Sequence, residues 1–479
     1  MKHLLFSALI LLCVSCKSIS PLTYKELAVP EDYGYNSQKK KSTNASSDSL
    51  PAINQFYSDP NLRILIDSAL VRNLDLKIMD AQLLQSKAEV TFTRGIRLPD
   101  LNAGMSAGVR KFGDYTIDGV GNYDTQFSPN LNDKQRIPNP VPDYFLGVHS
   151  SWEIDLWGKL KNQKVAAIRR FMGTEQGRKL LSTELVSQVA TEYYSLITFD
   201  EQREKLRQNI DLQENAILAV EAEFSTGRTT ELAVQLTRSQ LLETKKLLIE
   251  VEQNIQEQEN KLSVLTGNFP GRINRANSSL SDSSISKLLI LPPEQLLKNR
   301  PDILQAENRL IAANADLISA RKAFYPTIQL SASMGLEAFR WSVLFEAPAS
   351  LAFNVASGML IPVLNRRVLK AQLMESSGKE KEAYLIYEKT ILNAYKEVFE
   401  LLQLYENLNK MIDLKNEELR ILEESIVSAR ALYTTGRSTY LEKITAQEYF
   451  LQTQMELLEL KFRKAQIQVG LYKAMGGGV

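Results

Sequence analysis

The chain has 479 residues, 44% of them apolar and 24% charged, a globular balance that excludes a disordered or collagen-like polymer. Lys and Arg number 57 against 56 Asp and Glu, so the net basic footprint of a nucleic-acid binder is missing. The two histidines, His3 and His149, and the two cysteines, Cys13 and Cys16, leave zinc clusters, disulfide frameworks and most histidine-based catalysis without ingredients.

At the N-terminus, MKHLLFSALILLCVSC has a basic start, an apolar run from Leu4 to Leu12 and a small residue, Ser15, before Cys16. This is the pattern of an export signal over residues 1–15. The run is too short to span a bilayer as a helix, and no later stretch reaches the roughly 20 apolar residues that spanning requires. The end of the segment resembles a bacterial lipoprotein signal, with Cys13 where Leu is usual. The resemblance implies cleavage before Cys16 and lipid attachment to it. From 16 to 60 the chain is rich in Ser, Asn, Lys and Pro and shows no apolar period, which predicts an extended, lipidated tether.

The remainder is a duplication. FSTGRTTEL from Phe224 aligns with YTTGRSTYL from Tyr433, and the register holds without a gap to Gly267 and Gly476. NLDL from Asn73 aligns with RPDI from Arg300, which also brings Pro99 onto Pro326. Two repeats, 61–270 and 293–479, are therefore expected, joined by a linker over 271–292.

Each repeat opens with a helix-favouring segment that stops at its proline. The period then changes to two: Leu101, Ala103, Met105, Ala107 and Val109 alternate with polar residues. The same alternation runs through Tyr144, Leu146, Val148, Trp152 and Ile154; through Ile328, Leu330, Ala332, Met334 and Leu336; and through Leu351, Phe353, Val355, Met359 and Ile361. Four strands are predicted, two per repeat, each of a length suited to crossing an outer membrane at a tilt. His149 falls on the polar face, and Gly113 to Asn139 reads as an external loop. Tyr144, Trp152, Trp157 and Trp341 lie at strand ends, where interfacial aromatics anchor barrels.

After each strand pair comes a very long helical pattern, from about Trp157 to Phe224 and from about Asn365 to Tyr433. Apolar spacings alternate between three and four, as at Leu206, Ile210, Gln213, Ile217, Val220 and Phe224. Such helices would reach about 100 Å. Each turns at Gly227 or Gly436, where glycine accepts a positive φ at little cost, and a return helix follows. In the second return helix the predicted seam is Leu441, Ile444, Leu451, Met455, Leu458, Phe462, Val469 and Tyr472.

Geometry then constrains the assembly. Four strands cannot close a barrel, and an open edge in hydrocarbon strands unpaired backbone groups at several kcal/mol each. The smallest membrane barrels need about eight strands. Membrane strands here would have to be shared between identical chains, whose helical hairpins would then form a hollow tube.

The pieces SWEIDLWGKLKNQ from Ser151, RPDILQAENRLIAANADLISARKAFYP from Arg300 and the paired TGR turns at Thr226 and Thr435 resemble the outer-membrane efflux protein family, the TolC and OprM type, and its lipoprotein branch. The resemblance implies a mainly α protein with a small β part. Three copies would share a transmembrane β-barrel, with four strands from each chain, above an α-helical barrel of twelve helices. It implies a passive conduit that docks a periplasmic adaptor (a membrane fusion protein) and an inner-membrane transporter of the RND type, exporting drugs, dyes, detergents, metal ions or polypeptides according to the pump. The chain would sit in the outer membrane, lipid-anchored at Cys16, with its helices in the periplasm.

The resemblance also makes Gly227, Arg228, Gly436 and Arg437 adaptor-docking tips. It places a closed periplasmic gate in the residues after the second turn, where relatives often carry carboxylates six and nine residues beyond the glycine. Here these positions hold Glu442 and Thr445, so one acidic ring is kept and one is lost. Three copies of Glu442 near an axis would repel one another and attract cations. LIPVLNRRVLKAQ from Leu360 lacks the glycine usual near Asn365, which predicts a different turn into the second long helix. A rod-like structural or adaptor protein is the competing reading, but it leaves the four alternating strands unexplained. An enzyme is disfavoured because no Walker loop, GxSxG or HExxH motif is present, and no cofactor, metal site or nucleic-acid partner is expected.

Overall fold

The computed structural model describes residues 30, 33, 52–275 and 292–477; the export signal, Cys16 and most of the 271–292 linker lie outside the described residues. Helix α1 (Ile53–Phe56) precedes the first repeat, which contains α2 (Pro60–Arg72), α3 (Leu74–Gly95), β1 (Asp100–Arg110), α4 (Ile117–Thr125), β2 (Val141–Ile154), α5 (Lys159–Ser225) and α6 (Glu231–Leu265). The second contains α7 (Pro293–Asn299), α8 (Pro301–Lys322), β3 (Thr327–Ala338), a 3-10 turn (Trp341–Val343), β4 (Leu351–Leu360), α9 (Arg366–Thr434) and α10 (Tyr440–Ala474). No helix among the described residues is long and apolar enough to cross a membrane.

The long helices α5 and α9 have 67 and 69 residues, and their return partners α6 and α10 have 35 each. All four end in the same way. The N–H of Gly227, Gly267, Gly436 and Gly476 bonds the carbonyl three residues back, and the next N–H bonds the carbonyl five back. This is a Schellman cap, which needs a left-handed residue, and each of these glycines has φ between +70° and +90°.

The return helices do not simply stop. The end of α6 abuts the α2–α3 junction, where Asn73 Nδ2 donates to Leu265 O at 3.0 Å and Asn73 Oδ1 caps the first turn of α3. At the equivalent place in the second repeat, Arg300 donates to Ala474 O at 2.7 Å, to Glu397 Oε2 at 2.9 Å, and to both oxygens of Asp302. Burial works against the Arg300 charge, yet its bonds to Asp302 and Glu397 hold its pKa above the usual arginine value. Each return helix is thereby spliced to the short helix leading into the sheet, so every hairpin becomes two rods of comparable length.

The helices lie side by side. Near the sheet the order of packed neighbours is α3, α5, α8, α9; in the other half it is α6, α5, α10, α9. The main core sits midway along α5, where Val186, Val189, Tyr193 and Tyr194 pack with Phe56, Tyr57, Leu62 and Ile66 and with Val469 and Tyr472 of α10. The expected tether therefore reaches the core before Pro60: Phe56 and Tyr57 are buried, and Phe56 stacks on Tyr472. Tyr33 is buried too, stacked on Tyr395. A few aromatics in a polar stretch have no period to read, which is why composition alone made this region a tether. Along the predicted seams Leu206, Ile210, Gln213, Val220, Ile444, Leu451, Leu458, Val469 and Tyr472 are buried, whereas Phe224 and Leu441, next to the turns, are exposed.

Candidate functional site

The four strands form one antiparallel sheet in the order β1-β2-β3-β4, which leaves β1 and β4 as open edges. The register fixes what each face carries, because residues opposite one another share a face. One face has rows such as Met105, Leu146, Leu336 and Leu351, then Ala103, Val148, Met334 and Phe353. The other has Asn102, His149, Ser333 and Asn354 in one row and Gly104, Gly147, Gly335 and Ala352 in the next. The alternation read from the sequence thus sorts all four strands onto one apolar and one polar face, and His149 is on the polar one. In the single chain the apolar face is bare: Met105, Phe353 and Val355 are 66%, 78% and 68% exposed. A sheet of this size with one apolar face and two open edges is incomplete in water and incomplete in lipid.

Aromatics mark both ends of the apolar face. At the end away from the helices the Tyr144 and Trp341 rings meet edge to face at 5.7 Å, with Phe345 beside Trp341. At the helical end Trp152 Nε1 donates to Arg97 O at 3.0 Å, Trp157 Nε1 donates to Pro326 O at 2.7 Å, and the Trp157 ring stacks on Tyr325. These bonds lock the β2–α5 junction to the ends of α3 and α8. The eight-residue step from Tyr144 to Trp152 spans about 27 Å of strand, close to the height of an apolar band once tilt is allowed for.

The two strand-to-helix junctions differ, as the missing glycine predicts. In the first, Gly158 has φ +77° and Asp155 accepts the N–H groups of Leu160 and Lys161, a charged cap on the first turn of α5. In the second, Asn365 has φ −79° and no side-chain cap.

At the opposite end the two hairpin tips pack together through Val220, Ala233, Val234, Tyr440 and Ile444. Tyr433, at the end of α9, donates its hydroxyl to Glu223 Oε2 near the end of α5 at 2.5 Å, which ties one hairpin to the other. The Tyr433 and Tyr440 rings meet edge to face at 5.4 Å, and Lys443 Nζ lies over both, 5.6 Å and 5.0 Å from their centroids. Burial lowers the Lys443 pKa; Glu223 opposes that shift and Arg430 adds to it. Burial and then the bond to Glu223 raise the Tyr433 hydroxyl.

Gly227, Arg228, Gly436 and Arg437 form the exposed turns at this end, and neither arginine side chain reaches a carbonyl or carboxylate among the described residues. Glu442 is exposed in the first turn of α10 and Thr445 is half-buried a turn further; within one chain Glu442 meets no cation among the described residues. Sequence reasoning named Glu442 and missed its neighbour Lys443 and the Tyr433–Glu223 bond. The available signal was the comparison of the repeats, in which Tyr433 and Tyr440 replace Phe224 and Glu231 around the same turn.

Helical rods of about 100 Å beneath an amphipathic sheet with unsatisfied edges are the build of an outer-membrane conduit. The family model for the outer membrane efflux protein matches residues 65–268 and 293–477, and the chain belongs to that family. It is similar to the cation efflux system protein CusC of Escherichia coli strain K12, 29% identical over 424 residues and 88% of each chain. It is also similar to the probable outer membrane lipoprotein SilC of Salmonella typhimurium, 28% identical over 486 residues, covering 99% of this chain and 98% of SilC. A crystal structure of CusC superposes with a TM-score of 0.83 at 26% identity, covering 96% of this chain and 100% of that one. The protein is thus the outer-membrane channel of a tripartite efflux system, in a family of channels rather than enzymes.

Proposed function

We propose that three copies of the chain close a twelve-stranded barrel and a twelve-helix tunnel, and that the pair forms a passive path from periplasm to cell exterior. One observation carries the reading: the sheet has an apolar face, a polar face and two unpaired edges, and the chain's other elements leave those edges free. The layer order supports head-to-tail assembly, since β1, α3 and α6 bound one side of the chain and β4 and α9 the other. Two copies would supply eight strands and three would supply twelve; the family resemblance favours three.

In this reading Cys16 carries the lipid, which the similarity to SilC, a probable outer membrane lipoprotein, supports. Tyr144, Trp152, Trp157 and Trp341 sit at the membrane interfaces. Gly227, Arg228, Gly436 and Arg437 form the surface for a periplasmic adaptor, which links the tunnel to an inner-membrane transporter of the RND type. Glu442 and Thr445 line the narrow periplasmic end. The similarity to CusC, a cation efflux system protein, makes cations one cargo class to test.

Native mass spectrometry of the detergent-solubilised protein tests the assembly. Three copies are expected; a stable monomer or dimer as the largest species would overturn the closed twelve-stranded barrel. Reversal potentials of reconstituted channels test the gate: Glu442→Gln reduces cation preference, and an unchanged potential rules out its selectivity role.

A further inference from the structure

Below the sheet, the layer formed by α3, α5, α8 and α9 carries a cleft of about 540 Å³. Its walls include Ser86 of α3, Arg170 and Thr174 of α5, Arg309 and Asp316 of α8, and Lys379 of α9. Residues from the first and the last helix of the layer thus line one hollow, so the layer is concave on that side. The junction above points to the same side. Lys159, the first residue of α5, pairs with Glu153 at 2.5 Å, and Glu153 shares a row of the sheet's polar face with Gln329 and Gly358. Arg170 follows Lys159 by about three turns of helix and so leaves α5 on the same side. The cleft and the polar face therefore look the same way, with Arg170 about 16 Å beyond the start of the helix.

Three cations share this hollow with one carboxylate, Asp316, which Arg170 already binds. Lys379 senses both Asp316 and Arg170 through space. Its direct partner is Glu375 at 2.7 Å, but the two side chains are 65% and 63% exposed, so the pair holds Lys379 weakly. Arg309 has no carboxylate or carbonyl partner among the described residues. Its stem lies along Gly173, where an added Cβ would fall 3.9 Å from Arg309 Cγ. Even with Glu375 counted, the cations are in excess, in a chain whose net charge is only +1.

We propose that this cleft binds a small polyvalent oxyanion, with Arg309 and Lys379 as its ligands and Arg170 held beside them by Asp316. This rests on the conduit reading, in which the polar side of the chain lines the bore. A guanidinium presents a fork of donors that matches phosphate, sulfate or carboxylate oxygens, and an ammonium adds a point charge. Each copy contributes one such station, so a basic level lies just below the barrel, at the other end of the tunnel from Glu442. Arg309 and Lys379 are exposed, which keeps the hold loose, as a conduit requires if a bound solute is to leave.

Calorimetry of pyrophosphate binding to the detergent-solubilised protein at low salt tests the site, with circular dichroism as the check on folding. Arg309→Gln and Lys379→Gln each weaken binding about two- to five-fold, as befits exposed charges, and the double variant weakens it further. Lys179→Gln removes an exposed charge from the opposite side of α5 and leaves binding unchanged. No binding by the parent, or equal binding by parent and double variant, would overturn the site. Planar-bilayer recording with pyrophosphate on the barrel side tests its place in the bore. Brief blockades of the parent current are expected, with fewer or shorter ones in the double variant. Binding that both substitutions weaken, without any blockade of the parent current, would put the cleft off the ion path and overturn the station. A parent that binds the anion but passes no current at all would overturn the conduit reading instead and leave the anion site standing.

Discussion

The four glycines that end the long helices and their return partners look alike in sequence and differ in cost. An added Cβ at Gly227 or Gly436 would meet nothing within 4 Å, whereas at Gly267 it would fall 2.7 Å from Arg72 O and at Gly476 2.8 Å from Asn299 O. Gly227→Ala and Gly436→Ala should therefore cost only the left-handed backbone term, about 1 to 2 kcal/mol. Gly267→Ala and Gly476→Ala must also push apart a splice between helices, so a larger fall in unfolding temperature is expected from thermal melts of the four variants. Lys443 adds a pH dependence of known sign. Its folded pKa lies below 10.5, so between the two values the unfolded tip binds more protons and tip stability rises with pH. Hydrogen exchange of the tip amides, corrected for intrinsic rate, should show increasing protection as pH climbs toward that value. Lys443→Met should flatten this rise without weakening the tip at neutral pH; a loss of protection there would mean that the contact with the Tyr433 and Tyr440 rings outweighs desolvation.

At the scale of elements, the duplication keeps the splice and changes its chemistry. Asn73 uses one neutral amide to reach the end of α6, while Arg300 gathers two carboxylates and a carbonyl with its side chain 9% exposed. Removing Arg300 strands Asp302 and Glu397 together, so Arg300→Ala should cost about 3 kcal/mol, against about 1 kcal/mol for the capping residue in Asn73→Ala. Denaturant titration of both variants distinguishes them; equal costs would mean that the ion pairs contribute nothing beyond the helix-end bond. The strands, long helices and glycine turns were legible because each is written as a period or a repeated motif. The splices were not, although NLDL and RPDI mark their positions, because a repeated motif does not say what its side chains touch. The connection between β1 and β2 was legible only as a loop. Its Gly, Asp and Asn content gives turns, but its ties to the connection between β3 and β4, Lys134–Glu346 and Arg340–Arg136, join residues about 200 positions apart.

For the whole molecule the question is what covers the sides of the chain. Helix α9 has two apolar seams: Val398, Leu402 and Leu408 are buried within the chain, while Leu404, Met411, Leu414 and Ile421 repeat at heptad spacings and are 46% to 72% exposed. Helix α6, on the other side, likewise exposes Leu242 and Ile249, seven residues apart and 67% and 68% exposed. Two bare seams on opposite sides, beside two open strand edges, match a ring in which α9 and β4 of one copy meet α6, α3 and β1 of the next. A charge on the exposed seam should therefore cost assembly rather than folding. Leu414→Asp with Ile421→Asp is expected to leave helix content unchanged by circular dichroism while shifting the protein from oligomer to monomer in native mass spectrometry. The matched control, Lys410→Asp, sits between the seams and should leave the oligomer intact. If the seam variant assembled as well as the parent, the α9 stripe would not be the contact between copies, and the ring would have to close through the sheet alone.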